Sequence, residues 1–330
     1  MGVHFYDESP IGPDWQRGRL GPPLSISRAG IPCVVWAEDA LAIVHRVPTG
    51  LHDLQVLVPD GQVADAANAI CTNLPYVTLT GDEPDSHWLD HKLINPDRPH
   101  AFILTPKDTL VLKHTDPHLA WEEPSRILVH RASTFHFDIT DTSRTMLNPE
   151  PLGEVFAAIR FPTVAAFLDA IVDTEHEPPL PFYHTQFYLH LNTCRGYLAL
   201  YTLSDKGDYF TIDDNNERIL LPQFLEVLAQ VKEENQPCLA RYFLQMKRLP
   251  FEDSVMEWRS LKAARLAQLG HQYEPPIATP YSPYLCRRGL PPDTGEPRLT
   301  PYLTRGKYGQ LSIQWRALPR YASIAAKMLR

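Results

Sequence analysis

The chain has 330 residues, 44% hydrophobic and 21% charged, with a net charge of -8. That length holds one large or two ordinary domains with a sizeable core, and the balance is that of a soluble globular protein. An acidic chain without a long run of Lys or Arg argues against duplex nucleic acid as a partner.

The first segment, residues 1–29, carries Pro10, Pro13, Pro22 and Pro23 with the aromatic anchors Phe5 and Trp15, and reads as an irregular arm laid over the core. It lacks the basic and apolar regions of a signal peptide, and no later stretch approaches roughly eighteen consecutive apolar residues. Neither secretion by a signal peptide nor a membrane span is expected. Ile31 to Trp36 is short, apolar and β-branched, which predicts a buried strand. Glu38 and Asp39 then place negative charge in the first turn of a helix, where Ala40, Leu41, Val44 and Val47 recur at helical spacing until Pro48-Thr49-Gly50 ends it. From His52 to Val58, Leu54, Val56 and Val58 alternate with Asp53, Gln55 and Leu57, the period of a strand with one face in a core. Asp60-Gly61 predicts a turn, Gln62 to Leu74 a helix, and Tyr76 to Leu79 a short strand.

Residues 81–100 hold His87, His91 and His100 among Asp82, Asp85, Asp90 and Asp97. Without a compact His-x-x-x-His pair they read as a solvated loop rather than a metal site. Ala101 to Leu104 and Leu110 to Leu112 read as a hairpin. Leu128 to Ile139 alternates, which predicts a strand over Thr134 to Asp138. The loop composition of Asn148-Pro149-Glu150-Pro151 places a boundary there, dividing the chain into 1–148 and 149–330.

In the second part, Gly153 to Val172 reads as a helix kinked or broken at Pro162, and Glu177 to Pro181 as a stiff connector. Phe182 to Tyr201 fits helix or strand equally. Gln223 to Lys232, Leu239 to Leu249 and Phe251 to Leu269 have helical periodicity, so this lobe is expected to be mostly helical. Residues 275–301 are proline-rich and are expected to lie ordered against the body. Gly306 to Trp315 reads as turn plus strand, and Tyr321 to Leu329 as a closing helix. The cysteines, five in all, are far apart and never in a Cys-x-x-Cys pair, which suits reduced thiols and a cytoplasmic location.

Apolar strand, two-residue turn, helix with Ala40-Leu41, loop with Thr49, then Asp53-x-Gln55 on a strand: this order resembles the nucleotidyltransferase fold of the polymerase-beta type. The resemblance covers about residues 24 to 141, and the chain is similar to fungal members of that fold with a degenerate active-site motif. The family has Gly-Gly or Gly-Ser where Ala37-Glu38 stands, and Asp-x-Asp where Asp53-x-Gln55 stands. The resemblance implies an α/β (α+β) protein, with a mixed-sheet lobe and a helical second lobe, that uses Mg²⁺ to transfer a nucleoside monophosphate from a nucleotide triphosphate to a small-molecule acceptor. Asp53 and Asp138 are then the metal-holding acids, with Asp141 the fallback, and Glu38 replaces the carboxylate missing at Gln55. His52 is a candidate general acid or base beside Asp53. Ala37 and Glu38 form the phosphate turn, and Arg259 with Lys262, at i and i+3, is the best-placed cation pair for the triphosphate.

The departures bear on the chemistry, because a neutral amide bridges metals poorly and a Glu at the turn repels phosphate. Two alternatives therefore stay open. One is metal-independent chemistry on a small molecule by His52, Asp53 and His136, and the other is a non-catalytic binding or scaffold protein.

Overall fold

Proline content in the first segment predicts an irregular arm, yet Pro13–Arg28 forms a 16-residue helix, α1. Pro13 takes the first helical position, where a missing N–H costs nothing. Burial of Leu20 and Ile26 and the pairing of Arg19 with Asp39 hold the rest, so packing overrides the low propensity of Pro22 and Pro23. The computed structural model describes residues 8–81, 86–89, 102–103, 105–116, 122–150, 152–177, 179, 184–204, 208–245, 251–271, 299–305 and 311–317.

Next come β1 (Val34–Trp36), α2 (Ala37–Ile43), β2 (Leu54–Val58), α3 (Val63–Asn73) and β3 (Tyr76–Thr78), in the expected order. Strand β2 differs from expectation in that all of its residues are buried, not alternate ones. It lies inside the sheet, and a central strand covered on both faces must be apolar on both. Strand β4 (Trp88–Leu89) pairs with β5 (Phe102–Ile103), whereas β6 (Leu110–His114) pairs with β3 and with β7 (Arg126–Arg131). The hairpin expected over 101–112 therefore does not form. Val111 and Leu112 gain burial by joining the main sheet instead.

The strand expected over Thr134 to Asp138 is likewise absent. After β7 the chain makes a 3₁₀ turn over Ala132–Phe135, and His136 takes a left-handed φ of 51°. The alternation of Phe135 and Phe137 serves another end: both rings pack on Trp36, with centroids 5.2 and 5.8 Å away. Then follow β8 (Thr145–Leu147), β9 (Arg160–Pro162) and α4 (Val164–His176). The single helix expected over 153–172 is thus a 3₁₀ turn, a strand and a helix, and Pro162 ends the strand. Thr163 Oγ1 caps α4 by accepting from the Ala166 N–H at 3.2 Å.

The seven-stranded sheet runs β3-β6-β7-β2-β1-β9-β8, with β2/β7 and β1/β9 parallel and the remaining neighbours antiparallel. It draws strands from both sides of residue 148, because Ile159 and Phe161 are buried in the same core as Trp36 and Val35. The later part is mostly helical: α5 (His184–Tyr197), a hairpin of β10 (Phe210–Ile212) and β11 (Arg218–Leu220), then α6 (Pro222–Leu228), α7 (Gln236–Gln245) and α8 (Phe251–Gln268). A last hairpin pairs β12 (Leu299–Arg305) with β13 (Leu311–Ala317). The architecture is mixed α/β. Among the described residues no helix is long and apolar enough to cross a membrane. Residues 275–298 of the proline-rich segment, the helix expected over 321–329 and most of the His- and Asp-rich loop lie outside the described residues.

Candidate functional site

Strand β2 runs parallel to β7 with Leu54 opposite Ile127, which sets Asp53 beside Arg126. The guanidinium grips the carboxylate as a fork: Nε donates to Oδ1 at 3.0 Å and Nη2 to Oδ2 at 2.9 Å. Asp53 is 4% exposed, and Arg126 Nη1 also donates to the His87 carbonyl. A second fork lies close by. Arg19 from α1 donates through Nε and Nη2 to both oxygens of Asp39 at 2.7 and 2.6 Å, and through Nη1 to the His52 carbonyl. Burial works to lower the Arg19 pKa, but Asp39 and, behind it, Asp53 raise it overall, so the guanidinium stays charged.

Gln55, one pleat on, sits in a buried polar chain. Its amide N–H donates to Glu38 Oε2 at 3.5 Å and its carbonyl oxygen accepts from His130 Nε2 at 3.3 Å. That bond leaves His130 Nδ1 to accept from the Thr109 hydroxyl at 2.9 Å. Burial, with His190 a smaller cause, drives the His130 pKa down to about 3, so the ring is neutral. Beyond Glu38 the chain continues to His190 Nδ1, 3.6 Å from Glu38 Oε1, and from His190 Nε2 to Cys194 Sγ at 3.8 Å. The Trp88 ring lies edge-on to His190 at 4.7 Å and contacts His130. Ala37, fully buried, has a φ of 54°, the conformation that glycine adopts most readily.

Asp138 stands elsewhere. It is exposed, and its Oδ1 accepts from the hydroxyl and N–H of Thr140, bonds that hold its pKa below the usual carboxylate range. It follows the end of β7 near Val58, whereas Asp53 adjoins the beginning of that strand. The fold therefore does not bring Asp53 and Asp138 together. Asp141 caps the turn at Thr142–Arg144 through Ser143. Asp53, Asp138 and Glu38 do not make a set that fits Mg²⁺: the first is held through both oxygens by the Arg126 cation, the second is remote, and the third is buried against Gln55. Among the described residues no group of three or more His, Cys, Asp or Glu could hold a metal ion. His52 is half-buried beside Gly50, away from His136 on the turn after β7.

Comparison with family models, curated proteins and solved structures gives no match. Function must then be read from the side chains themselves.

Arg259 and Lys262 do share one face of α8, as their spacing predicts, but that face is turned to α4. Arg259 Nη2 donates to the His176 carbonyl at 2.8 Å, and Lys262 Nζ to Asp173 Oδ1 at 2.9 Å. Lys232 Nζ takes the other Asp173 oxygen at 2.7 Å, and Asn235 Nδ2 donates to Oδ1 at 3.0 Å. Burial opposes ionisation of Asp173, but Lys262 and Lys232 together hold its pKa well below the usual range. Asp173, Lys232 and Lys262 line an open bowl of about 410 Å³ together with Glu177, Glu234, Ser133 and the stretch His136 to Asp138. His136 Nε2 donates to the Glu177 carbonyl at 2.8 Å and so ties the turn after β7 to the end of α4.

Sequence reasoning singled out neither Arg126 nor His130, nor the cations Arg19 and Lys232. A signal was present for the first two. Arg126 and His130 flank the apolar Ile127 to Val129, and on a central strand each must find a buried partner.

Proposed function

We propose that this chain is a nucleotidyltransferase-like protein that works by binding rather than by metal-dependent nucleotidyl transfer. The observation that carries this reading is the Arg126 fork on Asp53. A carboxylate that holds Mg²⁺ needs its lone pairs free and a negative local field. Here both oxygens accept from one guanidinium, whose positive charge opposes a divalent cation. Freeing Asp53 would break a buried pair at a cost of about 3–5 kcal/mol. The neutral Gln55, committed to Glu38 and His130, supports the same reading. The bowl beside Asp173 is then the place where a ligand is received.

The test is calorimetric titration of the full chain with ATP, GTP, CTP and UTP, each with and without Mg²⁺. We expect no metal-dependent saturable binding. Binding that requires the metal and disappears in Asp53→Asn would overturn the reading in favour of transfer to a small acceptor. One observation favours that second reading: Ala37 keeps a left-handed turn at the start of α2 without glycine. It demands that Arg126 release Asp53 when a nucleotide arrives, and the same titration decides it.

A further inference from the structure

The bowl is lined by both kinds of charge. The ammonium groups of Lys262 and Lys232 converge on the two oxygens of Asp173 at 2.9 and 2.7 Å. Each ammonium has three donors, of which one goes to Asp173. The Lys262 side chain is only 12% exposed, so its remaining donors have little water to meet. Burial works to lower its pKa, but Asp173, with Glu234 and Glu177 further off, raises it overall, and the ammonium stays charged.

The same lining carries acceptors. Glu234 is half-buried, lines the same bowl, and makes no hydrogen bond or ion pair among the described residues. The bond from His136 Nε2 to the Glu177 carbonyl fixes a ring whose Nδ1 carries a lone pair, and that nitrogen has no partner among the described residues either. Exposed Asp138 and Glu177 add negative charge at the rim.

A simple anion would meet the lysines but also the acids of the lining, and a simple cation the reverse. A molecule with a carboxylate and an ammonium a few bonds apart offers each kind of group the right sign. At about 410 Å³ the bowl lies at the small end of ligand sites and has room for an amino acid with its side chain.

We propose that the bowl binds a free amino acid, its carboxylate on Lys232 and Lys262 and its ammonium on Glu234 and His136. The proposal rests on the binding reading above and deepens it by naming the ligand class. It is tested by titrating the full chain with glycine, alanine, glutamate, lysine and phenylalanine, following backbone amide shifts by NMR. The tightest binder is then compared with its N-acetyl derivative and its methyl ester.

Saturable binding that weakens by about tenfold or more on acetylation and on esterification supports the proposal, since each change removes one charged end. Glu234→Gln should weaken binding similarly and move the urea midpoint little, because among the described residues Glu234 has no hydrogen bond or close ion pair to lose and acts on Lys262 only at longer range. The proposal is overturned if none of the five amino acids binds, or if the acetylated form binds as tightly as the parent, which marks an anion site. An ester as tight as the parent marks a cation site and overturns it too, as does Glu234→Gln binding at full affinity. Amino-acid binding beside metal-dependent nucleotide binding would sink the binding-only reading and leave this site standing.

Discussion

Arg126 and Asp53 have side-chain exposures of 10% and 4%, so each charge depends on the other rather than on water for its solvation. Removing one partner leaves an uncompensated charge in the core. Asp53→Ala or Arg126→Met alone is therefore expected to lower unfolding free energy by about 3–5 kcal/mol in urea denaturation. The double variant should lose less than the sum of the two, because both charges have gone. A double variant with fully additive losses would mean that the fork contributes nothing. This is also where the sequence is least able to speak for itself. The alternation around Asp53 places that acid on a strand, but the partner that determines its chemistry is 73 residues away. Gln55 is different, since its neutral amide is visible in the sequence and weakens a metal site whatever surrounds it.

Helix α1 shows the same limit for an element. Its prolines and glycines read locally as irregular, and only the groups packed on it explain why it is a helix. Gly18 illustrates the cause: a Cβ there would lie 2.6 Å from the backbone oxygen of Glu122. Helix propensity alone favours Ala over Gly by about 1 kcal/mol. The close backbone approach reverses the sign, and Gly18→Ala is expected to destabilise by about 1–3 kcal/mol, the usual cost of overpacking. A gain in urea midpoint would show that the Glu122 segment yields freely. Helix α3 was legible because Ala66, Ala67 and Ile70 are buried while Asp65 and Asn68 stay exposed, so burial follows the helical period. The sheet was harder to read: β5 and β6 are neighbours in sequence but pair with different partners, and residues 153–172 hide a strand because Val155, Ile159 and Val164, on either side of β9, recur near helical spacing. Arg259 and Lys262 were rightly placed on one face. What that face meets, the end of α4, is a matter of packing between elements that periodicity does not encode.

Across the whole molecule the buried polar groups tie stability to pH. His45 is 3% exposed, and burial pushes its pKa down to about 4 against the pull of the Pro162 carbonyl; burial, aided by Lys262, likewise pushes His176 down to about 4. With His130 at about 3, these rings stay neutral in the fold below pH 6.5, where the unfolded chain has begun to protonate them. The unfolded state then binds more protons, so stability is lost as pH falls from about 6.5 toward the folded values. Glu175, buried against Arg195, works in the opposite sense. Burial raises its pKa to about 7, so the fold holds a proton that the unfolded chain has released, and stability falls as pH rises. Three histidines outweigh one carboxyl, and together these four groups give a slope of about 2 kcal/mol per pH unit near pH 5.5. A single substitution isolates one member. In His45→Gln the amide N–H can still donate to the Pro162 carbonyl, which His45 Nε2 meets at 3.1 Å, but nothing at that position titrates. Measured by urea denaturation, the parent should lose about 2–3 kcal/mol relative to His45→Gln between pH 7 and pH 4.5, the free energy of one ring held neutral across that range. Parallel pH profiles for the two proteins would mean that His45 takes up its proton inside the fold, and that the core around Phe167 and Pro162 admits water.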